Sequence, residues 1–87
     1  MTTNFQSPDD LNRFIGETRR ELEANGFASA AARLADVQGG AFTTGSEWLG
    51  ELGLAVKEAL ATKGLPYFIR ERLNAIRGAV RAVWPKL

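Results

Sequence analysis

The stretch Leu65-Pro66-Tyr67-Phe68-Ile69-Arg70-Glu71-Arg72-Leu73-Asn74-Ala75-Ile76-Arg77-Gly78-Ala79-Val80-Arg81-Ala82-Val83-Trp84-Pro85 decides the fold class. Within it Leu65, Ile69, Leu73, Ile76, Val80, Val83 and Trp84 return every three or four residues, the spacing that gathers side chains on one face of an α-helix. Pro66 suits a first helical turn, where a missing N–H costs nothing, and Pro85 ends the pattern. The spacing predicts a helix over about residues 66–84 with one apolar face, and one such helix needs others to cover that face.

Working toward the N-terminus, the same punctuation recurs. Thr44-Gly45-Ser46-Glu47 has the Thr-x-x-Glu spacing of a capping box, and Trp48, Leu49, Leu52, Ala55, Val56, Ala59 and Leu60 follow on one face until Gly64. A helix over about 45–63 is expected. Residues 28–38 are rich in alanine, with Leu34 and Val37 as the larger apolar groups, and Gly39-Gly40 closes a short helix there. Ser7-Pro8-Asp9-Asp10 is a helix start, in which Ser caps free amides and the two carboxylates favour the positive end of the helix dipole. Leu11, Phe14, Ile15, Thr18 and Leu22 then share a face, and Asn25-Gly26 supplies a left-handed stop, giving a helix over about 8–25. No strand-like alternation competes. Short connections favour antiparallel neighbours, so the expected fold is all-α: one domain over residues 1–87, a small antiparallel four-helix arrangement with residues 1–6 as a flexible N-terminus. Gly16, Gly50, Gly53 and Gly78 fall inside these helices, where each costs about 0.5 to 1 kcal/mol relative to Ala. Close helix crossings at the four glycines are the expected reason.

Composition narrows the function. The chain has 87 residues, no Cys and no His, which removes disulfides, thiolate nucleophiles, imidazole bases and the usual zinc ligands. The paired carboxylates at Asp9 and Asp10 are explained by the helix start, and the Gly39-Gly40 to Ser46 segment lacks the Gly-x-x-x-x-Gly-Lys-Ser/Thr phosphate loop. No enzymatic activity, cofactor or metal is expected. The N-terminus shows no basic segment followed by an apolar run, and no apolar stretch is long enough for a membrane span, so a cytoplasmic location and no membrane partner are expected.

Charge is polarised although the total is only +1. Residues 65–87 carry five basic groups (Arg70, Arg72, Arg77, Arg81, Lys86) against Glu71, a net +4, while residues 1–64 carry six basic and nine acidic groups, a net −3. On the last helix Arg70, Asn74, Arg77 and Arg81 form one stripe beside the apolar face. In an antiparallel hairpin centred near Gly64, Glu47, Glu51 and Glu58 lie level with Arg81, Arg77 and Arg70. The glutamates and arginines nevertheless lie on opposite senses of rotation from the apolar faces of their helices, which argues against a full ladder within one copy. Asp10, Glu17 and Glu21 form a second acidic stripe of the same sense. The stripe of Arg70, Asn74, Arg77 and Arg81 reads either as a solvated flank bonded to carboxylates of the same protein or as a candidate interaction surface, and Phe42 and Phe68 either cover loops or join that surface.

The run Glu23-Ala-Asn-Gly-Phe-Ala-Ser-Ala-Ala-Ala-Arg-Leu34 and then Gly-Gly-Ala-Phe-Thr-Thr-Gly-Ser-Glu-Trp-Leu-Gly-Glu-Leu52 resembles short, uncharacterised bacterial helical proteins that share a Gly turn, a small-residue helix and a Thr-Gly-Ser-Glu entry to the next helix. The resemblance implies a bacterial source and an all-α fold, and it implies no activity. From the residues themselves the expected function is a small protein-protein interaction module, self-association as a homodimer included. The alternative is a nucleic-acid-binding helical protein whose arginine stripe follows a phosphate backbone.

Overall fold

A computed structural model describes residues 8–40 and 45–83. They form α1 (Pro8–Ala24), α2 (Ala28–Gly39), α3 (Gly45–Leu60) and α4 (Tyr67–Val83), and no described residue is in a strand. Ser7, Phe42, Thr44 and Trp84 lie outside the described residues, and with them the two expected N-terminal caps.

The turn from α1 to α2 follows from Asn25-Gly26. Gly26 takes φ 87°, a left-handed conformation that costs glycine no steric strain. The Phe27 N–H then reaches back to the Leu22 carbonyl at 2.8 Å and the Gly26 N–H to the Glu23 carbonyl at 3.2 Å, a paired closure that satisfies carbonyls the helix leaves free. Phe27 continues the motif by packing its ring on the core. At its C-terminal end α3 stops at Leu60, three residues short of the expected Lys63. The Ala61 N–H is shared between the Lys57 and Glu58 carbonyls and the Thr62 N–H goes to Ala59, so the last turn tightens before Gly64, at φ 82°, reverses the chain. That early stop delivers Leu65 into the core, where it is 8% exposed.

The core is drawn from the residues the periodicity names, Leu11, Ile15 and Leu22 from α1, Leu34 and Val37 from α2, Leu52, Val56 and Ala59 from α3, and Ile69, Leu73, Ile76 and Val80 from α4, while Phe14, Trp48, Leu49 and Leu60 of the same pattern are half-buried against it. Each helix packs on two others, α1 on α2, α2 on α3, α3 on α4 and α4 on α1, and the diagonal pairs do not approach. The bundle is a closed ring.

Directions within the ring follow from which flank of each helix meets its neighbour. Take the flank one residue after a core position and the flank one residue before it. Reversing a helix exchanges its two sides, so antiparallel neighbours around a common core meet through like flanks and parallel ones through unlike flanks. Across α1/α2, Asn12 and Arg19 follow Leu11 and Thr18, and both bond Gln38, which follows Val37. Across α2/α3, Arg33 precedes Leu34 and bonds Glu51 and Glu58, which precede Leu52 and Ala59. Across α4/α1, Arg72 precedes Leu73 and bonds Glu17 and the Phe14 carbonyl, which precede Thr18 and Ile15. All three seams join like flanks, so the helices run up and down, and by closure α3 and α4 meet through the flanks that follow their core residues.

The expected close crossings are corrected at two glycines. A Cβ placed on Gly16 or Gly78 would meet nothing within 4 Å, so neither residue is there to admit a neighbouring backbone. An open position of this kind tolerates any small residue, and glycine only loosens the helix there.

Candidate interaction face

Arg70, Asn74, Arg77 and Arg81 follow Ile69, Leu73, Ile76 and Val80, so all four stand on the flank of α4 that faces α3. Arg70 and Arg77 are half-buried, and Asn74 and Arg81 are exposed. Among the described residues none of the three arginine side chains has an ion pair or hydrogen bond, and the Asn74 side chain has none either. The facing flank of α3 supplies no acid: Gly53 follows Leu52, Lys57 follows Val56 and Leu60 follows Ala59. Lys57 therefore extends the basic strip, a residue the sequence reading did not include.

The other three seams are closed by polar bonds. Arg72 closes the α4/α1 seam. Its Nε donates to the Thr18 hydroxyl at 3.0 Å while that hydroxyl donates to the Phe14 carbonyl at 2.8 Å, and its guanidinium carbon lies 4.0 Å from the centre of the Phe14 ring. Thr18 is fully buried and both its hydrogen-bonding roles are filled. Across α2/α3, Arg33 Nη2 lies 3.1 Å from Glu51 Oε2 and its Nε 3.0 Å from Glu58 Oε2. The two carboxylates, Glu51 foremost, raise the Arg33 guanidinium above its ordinary value by bonding its charged form. The acidic stripe of α3 is thus turned to α2, as its sense of rotation implies, and no ladder forms with α4.

Aromatic candidates separate. Phe68 is 47% exposed but precedes Ile69, so it stands on the α1 flank of α4 with Arg72, away from the arginine stripe. Phe42 lies outside the described residues. Two other exposed apolar side chains border the basic strip: Tyr67, 74% exposed, and Leu54, 48% exposed on the outer surface of α3. The Tyr67 hydroxyl donates to Glu71 one turn on, and the neighbouring carboxylate raises the phenol above its usual value. Leu54 and Lys57 are the positions a single-helix reading misses, because α4 alone does not say which side of α3 it meets; the like-flank rule supplies that.

No three acidic side chains among the described residues converge to hold a metal ion, and no helix among them is long and apolar enough to cross a membrane. The face offers guanidinium forks, one ammonium and two exposed apolar groups, which suits docking of an anionic surface. No family model, no curated protein and no solved structure matches the chain.

Proposed function

We propose that the chain is a non-enzymatic protein interaction module that docks an acidic protein surface on the α3/α4 face. One observation carries the reading: Arg70, Arg77 and Arg81 have no partner among the described residues, while every other seam of the ring is closed by a polar bond. A guanidinium fork without a partner can donate two parallel hydrogen bonds to a carboxylate presented in its plane. A cytoplasmic setting and a bacterial source belong to the same proposal.

A phosphate backbone is the rival ligand. The stripe from Arg70 to Arg81 spans about 16 Å at 1.5 Å per residue, and across the outer surface of α3 from it lies the acidic row of Glu47, Glu51 and Glu58. A duplex extending beyond the stripe meets those acids, whereas a protein can end its acidic patch where the arginines end. The test uses two probes on the intact chain: a synthetic helical peptide with glutamates at the spacing of the stripe, and a mixed-sequence DNA duplex. Peptide binding that is lost in Arg77→Glu, with no duplex binding at physiological salt, is the expected result. Duplex binding that falls steeply with salt, with no peptide binding, overturns the proposal.

A further inference from the structure

We infer that the partner is a second copy of this chain, joined about a two-fold axis that runs parallel to α3 just outside it. The inference rests on the reading of the α3/α4 face as a docking face and names its occupant.

Sides and levels of the charged rows select that axis. On α3, Glu47, Glu51 and Glu58 precede Trp48, Leu52 and Ala59 and so lie toward α2, while the arginines of α4 lie toward the other side of α3. The outer surface of α3 separates an acidic row from a basic row. Because α3 ends at Leu60 and α4 begins at Tyr67, the hairpin sets Glu47 level with Arg81, Glu51 with Arg77 and Glu58 with Arg70. Within one copy the rows match in height and lie on opposite sides. A half-turn about an axis parallel to α3 keeps every height and exchanges the sides. It places Arg81, Arg77 and Arg70 of one copy opposite Glu47, Glu51 and Glu58 of the other, and the reciprocal row forms at the same time. A two-fold axis lying in the same face but perpendicular to α3 would set arginines against arginines.

The outer surface of α3 fits that axis. Leu54 stands opposite the core and is 48% exposed, so the two Leu54 side chains meet at the centre of the interface. Gly50, one turn earlier, brings no side chain between the helices, and Lys57, one turn later, adds a cation beside the partner's Glu58. The Glu51 and Glu58 carboxylates remain open to a second cation. Glu51 and Glu58 bond Arg33 through Oε2 while their side chains are 44% and 61% exposed, and two carboxylates share one guanidinium, leaving net negative charge. The row on α1 fits less well: the Arg72 bonds set α4 level with Phe14, Glu17 and Thr18, which leaves Arg81 beyond the start of that row.

Exposed ion pairs contribute little each and Leu54 is a small apolar centre, so the dimer is weak and sensitive to salt. The experiment is sedimentation velocity over a dilution series at low and high ionic strength, on the wild type, Arg81→Glu, Glu47→Arg and the double reversal. A single-cysteine variant, Leu54→Cys, in this cysteine-free chain is compared under mild oxidation with Asp36→Cys on the exposed surface of α2. Expected are a wild-type dimer that weakens with salt, about tenfold weaker association for each single reversal and recovery in the double. The Leu54→Cys variant should cross-link into a dimer and the Asp36→Cys variant should not. A wild type that stays monomeric, or a dimer indifferent to the reversals with no cross-link in the Leu54→Cys variant, overturns the inference. A monomer that still binds the acidic peptide through Arg77 removes the second copy and leaves the docking face standing; a monomer that binds no peptide removes both.

Discussion

Glu51 is bonded to Arg33 Nη2 across the α2/α3 seam at 3.1 Å, and it is thereby held on the far side of α3 from Arg77, the arginine at its own height. The consequence is a division of labour among arginines. Arg33 and Arg72 tie helices together. Arg70, Arg77 and Arg81 stand on α4 without partners among the described residues, and they are the arginines on which the proposed docking face rests.

That division is testable by truncation. Arg72→Ala removes the bond to Thr18 and the stacking on Phe14, and a loss of about 2 kcal/mol in urea unfolding is expected. Arg77→Ala removes no bond, and a change within about 0.5 kcal/mol is expected. Equal losses for the two would contradict the assignment of roles.

Glycine positions separate by backbone conformation. Gly16 and Gly78 are helical with open space around the missing Cβ, so Gly16→Ala and Gly78→Ala should each stabilise the fold by about 0.5 to 1 kcal/mol. Gly26→Ala forces a side chain into φ 87° and should destabilise it by about 1 kcal/mol. Thermal melting of the three variants checks the signs, and a destabilising Gly78→Ala would restore the idea of a close crossing at that residue.

The chain contains a single tyrosine, so its ionisation can be followed alone by ultraviolet absorbance. The Tyr67 hydroxyl should titrate above 10.0, because it donates to Glu71 and because a phenolate would face that carboxylate. Whatever stability the bond contributes is present below the unfolded value and lost as pH rises through the higher folded one. In Glu71→Gln the titration should move down toward the ordinary tyrosine value. No movement would show that the Glu71 carboxylate is not the cause.

Most of the fold is legible in the sequence, because Ile69, Leu73, Ile76 and Val80 leave no period but the helical one and Asn25-Gly26 marks a turn that only glycine takes easily. The pattern alone sets the end of α3 three residues late because Ala61, Thr62 and Lys63 are all compatible with a helix, and only the need to bring Leu65 into the core stops it earlier. The arginine stripe is visible as a stripe, and the opposed rotation of the glutamates already speaks against a ladder within one copy. Its surroundings are not visible: Arg33 as the bridge between Glu51 and Glu58, Lys57 as a neighbour and Phe68 on the other flank all depend on which sides the helices share. Gly16 and Gly78 mislead because cost within a helix is local, while the reason for a glycine depends on what stands beside it.

If the α4 arginines are directed outward, they do not hold the fold. The most direct measurement is the thermal stability of the Arg70→Gln, Arg77→Gln, Arg81→Gln triple variant against the wild type, at protein concentrations low enough for both to be monomeric. Stability unchanged or raised by up to about 1 kcal/mol is predicted, since three like charges along one flank repel and none is paired. A fall of more than about 1 kcal/mol would mean that these arginines serve the bundle itself, and it would contradict their outward role.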